Sequence, residues 1–186
     1  MAERELSEME VCVLALIWSD GPCTPYAVRQ VFLKSPSPQW SGSAGSIYPL
    51  VERLKKRKLI RSTAHSTGRR QGRLLAVTPA GIRAVETWLE PVIPDWVAGV
   101  PADPLRTRIR FLGALPPMKQ KAFLKSALES MERLLAEMRR DYPERRARGG
   151  FEFWMARGAM MAMRSRLSWL RQLAQAVGSL PGSRYT

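Results

Sequence analysis

Apolar residues recur at helical spacing along the first ninety positions, and the breaks between the repeats carry helix caps. Val11, Leu14, Ala15 and Trp18 fit one face of a helix from about Glu8 to Trp18, and Ser7 followed three residues later by Glu10 has the form of a capping box. Asp20-Gly21-Pro22 ends that helix. Thr24-Pro25 opens a second, with a preferred cap residue before a proline at the first helical position, and Tyr26, Val28, Val31 and Phe32 as its apolar residues. Ser35-Pro36-Ser37-Pro38 is a turn-rich break, after which Trp40-Ser41-Gly42-Ser43 leads into a third helix. There Ile47, Leu50, Val51 and Leu54 follow the i, i+3, i+4, i+7 pattern of a buried stripe, while Ser46, Pro49, Arg53 and Lys56 fall on another face. Proline is comfortable only in a first helical turn, so this helix either starts near Ser46 or bends.

Two short β-branched or apolar runs follow, Leu59 to Ala64 and Arg73 to Val77. They are joined by His65-Ser66-Thr67-Gly68-Arg69-Arg70-Gln71-Gly72, which predicts an antiparallel hairpin with a flexible basic tip. Thr78-Pro79 repeats the earlier cap and opens a helix with Ile82, Val85, Trp88 and Leu89 along one side. Helix, hairpin and capped helix in that order predict a winged helix-turn-helix over residues 1–90.

Four prolines between Pro91 and Pro104 predict a connector over 91–104, with no regular element from about Pro91 to Asp103. Residues 105–186 then read as all helical: a short helix from Leu105 to Leu115, a longer one from Met118 to Asp141, a loop from Tyr142 to Gly150 around Pro143, and a last helix from about Phe151 to Val177. In that last helix Phe153, Trp154, Met155, Met160, Met161, Met163, Leu167, Trp169, Leu170 and Leu173 surround most of the circumference, more apolar surface than one flanking helix covers. The expected fold is therefore mostly α. It has three helices and a two-stranded wing at the N-terminus, a helical C-terminal domain, and a homodimer built on the last helix.

Charge sharpens this picture. The 186 residues hold 30 Lys and Arg against 16 Asp and Glu, a formal net charge of +14. From Arg53 to Arg73 nine residues are basic and none is acidic, a stretch that expects phosphate nearby. Cys12 and Cys23 have no second pair at metal spacing, so neither a zinc site nor a disulfide framework is indicated. The N-terminal segment is charged where a signal peptide is apolar, and no window reaches about 18 uninterrupted apolar residues, so a cytoplasmic protein with no membrane span is expected.

Candidate residues follow from position. The start of the third helix would bring the hydroxyls of Ser43, Ser46 and Tyr48 to the major groove, although Ser43 and Ser46 equally fit helix capping. Arg53 and Lys56 share the exposed face of the same helix. Arg69 and Arg70 at the hairpin tip suit a narrow minor groove or phosphate, and Arg73 closes the basic stretch. Cys12 reads as a small core residue and His65 as a loop residue. No paired histidines at ligand spacing, no glycine-rich phosphate loop before a lysine and no Gly-x-Ser-x-Gly elbow occur, so an enzyme is not expected, nor any catalytic residue, metal or cofactor. In the last helix Trp154, Met161 and Trp169 could contact an aromatic ring, with Arg157 or Arg164 pairing a carboxylate. Core and dimer packing is the favoured use and would look the same in sequence, and a pocket between the two modules, near Trp88 and Trp96, is a further option.

Trp40, the run Ser43-Ala44-Gly45-Ser46-Ile47-Tyr48-Pro49-Leu50, Arg53-Leu54, Leu59-Ile60 and Thr78-Pro79-Ala80-Gly81 together resemble the PadR family of bacterial transcriptional regulators. The second half, with Leu105-Arg106-Thr107-Arg108-Ile109-Arg110-Phe111-Leu112-Gly113, a long amphipathic helix and a Trp-containing last helix, is similar to the longer-tailed members. The resemblance implies a dimeric repressor on an inverted-repeat operator, released in many members by a small aromatic compound such as a phenolic acid. Thr24-Pro25-Tyr26 departs from the His-Gly-Tyr common at that point, so only Tyr26 carries over there. From the residues alone, a basic winged-helix protein of low sequence preference and a protein-interaction scaffold stay open beside it.

Overall fold

The capping signals set the helix starts of the first unit. The structure is a computed structural model that describes residues 4–35, 37–67, 70–90 and 92–177. Helix α1 (Glu8–Ser19) begins at the full capping box, with Glu10 N donating to Ser7 Oγ and Ser7 N to the Glu10 carboxylate. α2 (Pro25–Leu33) and α5 (Pro79–Leu89) begin at Thr24 and Thr78, whose hydroxyls accept from Ala27 N and Gly81 N. Between them lie α3 (Pro38–Ser43), a 3-10 turn (Ala44–Ser46), α4 (Ile47–Lys56), and strands β1 (Ile60–Thr67) and β2 (Arg70–Val77).

Two local expectations change, and the choice left open at Pro49 falls to a helix that starts next to Ser46. The stretch expected to lead into the third helix is itself helical: Pro38 occupies the first position of α3 as Pro25 does in α2, although Ser37 makes no side-chain cap bond, and Trp40 of α3 stacks on buried Phe32 at 4.6 Å. Pro49 neither bends nor breaks α4: the helix begins at Ile47, so proline occupies the first turn, where its missing N–H has no partner to lose. The hairpin is longer than expected, since pairing runs from Ile60 opposite Val77 to Thr67 opposite Arg70 and leaves two residues between the strands.

The predicted stripe Ile47, Leu50, Val51 and Leu54 is wholly buried, against Val13, Leu14, Ile17, Val28, Phe32, Ile60, Leu75 and Val85. The wing is tied down twice. Cys23 and Leu75 exchange backbone hydrogen bonds, which pins β2 to the turn before α2, and Thr78 Oγ1 donates to the carbonyls of Lys58 and Leu59. α4 ends in a Schellman motif, Leu59 N to Leu54 O and Lys58 N to Lys55 O, with Lys58 at φ 57° in the left-handed position that glycine favours.

The chain divides into two units, Met1–Gly99 and Val100–Thr186. Within the stretch expected to lack regular structure, Asp95–Ala98 forms the single turn α6, started by Pro94. The second unit opens with α7 (Pro104–Arg110), a 3-10 turn (Leu112–Ala114) and two long helices, α8 (Pro117–Arg148) and α9 (Gly150–Ala176). α8 continues through Pro143 where a loop was expected. Tyr142 packs into the core of this unit and lies 6.2 Å from the Phe153 ring, so tertiary packing outweighs the lost hydrogen bond. Gly149 and Gly150, at φ 68° and 55°, reverse the chain, and α8 and α9 pair as an antiparallel hairpin around Leu124, Met131, Leu135, Met160, Leu167 and Leu170. No helix among the described residues is long and apolar enough to cross a membrane.

Candidate nucleic-acid interface

With its apolar stripe turned into the core, α4 leaves Tyr48, Pro49, Glu52, Arg53 and Lys56 exposed. Tyr48 is 48% accessible, large for an aromatic residue with no part in the core. Ser46 is exposed and Ser43 half-buried at the approach to this face, and neither caps the element that follows it through its side chain, so the capping alternative is not the one adopted. Glu52 stands on the same face as the basic residues, with its carboxylate held by Lys55 Nζ at 3.0 Å.

Arg53 has a partner that periodicity did not reveal. Its Nε donates to Glu10 Oε1 at 2.9 Å, and Arg4 Nη2 donates to both oxygens of the same carboxylate at 2.8 and 2.7 Å. Burial alone would raise the Glu10 pKa, but the Ser7 amide, Arg53, Arg4 and the Ser7 hydroxyl reverse that and hold it at about 2. The carboxylate is therefore ionised inside the protein and ties the N-terminal segment, α1 and α4 together. The Ser7–Glu10 spacing marked Glu10 as a capping residue; its 43-residue separation from Arg53 hid the second role.

On the wing, directly opposed residues share a face. Ser62 and Leu75 lie on the side that meets the core, and farther out Arg73, opposite Ala64, extends the same face into solvent. Arg61, opposite Ala76, is exposed on the other face. Arg69 lies outside the described residues, and of Arg70 only the backbone is described, paired with Thr67. The structure thus brings Ser43, Ser46, Tyr48, Arg53 and Lys56 together on and before α4, and places Arg73 on the adjoining hairpin.

The predicted effector residues of α9 differ in exposure. Trp154, Arg157 and Met161 make an exposed stripe on α9, with the Arg157 guanidinium 5.0 Å from the Trp154 ring centroid, while Trp169 packs into the α8–α9 core. Trp88 donates from Nε1 to Glu8 at 3.0 Å in the first unit, and Trp96 is 71% accessible on α6. A groove of about 510 Å³ between α8 and α9 is lined instead by Glu132, Leu135, Arg139, Arg164, Leu167, Ser168 and Arg171. Asp103 was also unforeseen. It caps α7 and takes two bonds from Arg166 of α9 at 2.8 and 2.9 Å, which with the Leu105 and Arg106 amides lower its pKa against the effect of burial. Burial raises the Cys12 thiol to about 11 and raises Cys23 as well. Among the described residues no three His, Cys, Asp or Glu side chains gather as a metal site.

A helix-turn-helix with a two-stranded wing, followed by a unit built on a long helical hairpin, defines a winged-helix protein with an all-α second part. The fold is that of the PadR regulators. The chain matches Bacillus subtilis PadR in complex with operator DNA at a TM-score of 0.79 and 17% identity, over 94% of this chain and 99% of that one. It matches the same protein in complex with p-coumaric acid at 0.68 and 17%, over 93% and 98%. The Vibrio cholerae virulence activator AphA matches at 0.68 and 14%, over 94% and 100%. No protein-family model and no curated protein matches the sequence.

Proposed function

We propose that this protein is a DNA-binding transcriptional regulator that acts as a homodimeric repressor on an inverted-repeat operator. The observation that carries the reading is the exposed face of α4, with Tyr48, Arg53 and Lys56 beside a wing bearing Arg61 and Arg73, in a chain that shares nearly its whole fold with a protein solved on operator DNA. In this reading α4 enters the major groove, Ser43, Ser46 and Tyr48 meet bases or phosphates at its start, and the hairpin with Arg69, Arg70 and Arg73 reaches the flanking minor groove. Two copies related by a twofold axis read half-sites about one helical turn, roughly 34 Å, apart.

The second copy docks on α9. Phe151, Trp154, Met155 and Met161 are 93, 60, 57 and 59% accessible in one chain, an apolar stripe that a partner helix would cover. Release by a small aromatic acid rests on the likeness to the protein solved with p-coumaric acid, with Arg157 at Trp154 as a cation beside a ring.

Selection of bound fragments from a random duplex library at near-physiological salt tests the reading. Enrichment of an inverted repeat is the expected result. A flat pool retained only at low salt would replace the regulator by a basic protein of low sequence preference.

A further inference from the structure

Glu10 is the only charged residue fully buried among those described, and both of its basic partners reach the surface. The Glu10 side chain is 1% accessible, while those of Arg4 and Arg53 are 65% and 50% accessible. Both guanidiniums bond to Glu10 Oε1, at 2.8 and 2.9 Å, so one oxygen atom holds two cations side by side. One carboxylate between two guanidiniums leaves a net positive charge facing water. Arg53 approaches Glu10 through Nε, and its other four N–H donors are on the two Nη atoms. Arg53 stands on the exposed side of α4 with Pro49 and Lys56.

We propose that Glu10 gathers Arg4 and Arg53 into a two-guanidinium cradle for a backbone phosphate of the bound duplex, with Glu10 as the positioning residue and Arg4 as a DNA contact outside the helix-turn-helix and wing. The proposal rests on the DNA-binding reading. Two guanidiniums without the carboxylate would repel each other and spread apart. With it they are fixed before DNA arrives, which removes an ordering cost on binding. Arginine is required at position 53, because a planar fork can bond a carboxylate through one edge and a phosphate through another, whereas a lysine presents a single point charge.

The test exploits an opposition of signs. Glu10→Gln removes a negative charge from a protein that binds a polyanion, so charge alone makes that variant bind more tightly; loss of the cradle makes it bind more weakly. Binding of a fluorescein-labelled duplex from the selected pool is measured by anisotropy against salt concentration for the full-length wild type, Glu10→Gln, Arg4→Ala and Arg53→Lys. Circular dichroism melts establish that each is folded.

For Glu10→Gln and Arg53→Lys the expected affinity loss is about tenfold. For Arg4→Ala it is about three- to tenfold, with the slope of log affinity against log salt reduced by about 0.9, the value of one phosphate contact. Arg4 is an exposed side chain ahead of α1, so its variant carries the test even if Glu10→Gln does not fold. A folded Glu10→Gln that binds as tightly as wild type, or more tightly, overturns the cradle, as does Arg4→Ala with an unchanged slope. If the wild type itself retains no duplex, the DNA-binding reading falls, and the cradle with it.

Discussion

At Glu10 a carboxylate sits inside the protein with its pKa held at about 2, against an ordinary value near 4.5. A folded-state pKa below the unfolded one adds stability that is fully present above pH 4.5 and is lost as pH falls towards 2. The size of this contribution is on the order of 3 kcal/mol at neutral pH. Asp103 is lowered as well and acts in the same direction in the second unit. Denaturant titrations should therefore show constant stability from pH 7 to about 5 and a decline below 4.5, and Glu10→Gln should flatten that decline. Gly81 is a second fixed position, since a Cβ there would overlap the Leu59 carbonyl oxygen and lie 2.7 Å from Val77 Cγ1. Gly81→Ala should cost about 1–3 kcal/mol, seen as a lower melting temperature, because backbone cannot yield as a side chain does.

Among the elements, α4 and the wing carry the proposed interface and α8 carries the least expected geometry. Tyr48 is outside the core, so Tyr48→Phe should leave the melting temperature unchanged while weakening duplex binding, measured by anisotropy; equal affinity would remove its hydroxyl from the interface. In α8, Pro143 cannot donate to the carbonyl of residue 139, yet the helix runs on to Arg148. Pro143→Ala should restore that bond and raise stability by about 1–3 kcal/mol, part of the roughly 3 kcal/mol that an interior proline costs. A melting temperature that falls instead would mean that the proline shapes the packing of Tyr142 on Phe153.

For the whole molecule, the proposed dimer would make the apolar stripe of α9 a condition of DNA reading. Trp154→Glu with Met161→Glu should convert a dimer into a monomer in sedimentation equilibrium and abolish tight binding to the full inverted repeat, while each half-site is still bound weakly. A wild type that sediments as a monomer at micromolar concentration would remove the dimer. Tryptophan quenching by coumarate, ferulate or vanillate would support a phenolic effector, and no change across that panel would exclude the class.

The order of elements in the winged unit was legible because each helix start is a local event: Ser7 with Glu10, Thr24-Pro25 and Thr78-Pro79 cap through bonds that span three residues. The stripe Ile47, Leu50, Val51 and Leu54 was equally legible, since one periodicity fixes one buried face. The same Ser/Thr-Pro spacing at Ser37-Pro38 would have found α3, although Ser37 makes no cap bond. Other features depend on residues far apart in the chain. The Glu10–Arg53 pair, the Cys23–Leu75 pairing and the Asp103–Arg166 fork join positions separated by tens of residues, and no local pattern encodes such a meeting. The passage of α8 through Pro143 and the differing exposure of the aromatic residues of α9 were decided in the same way. Propensity and spacing act over one or two turns, whereas packing against a distant helix sets which bond is given up and which side chain is left in water.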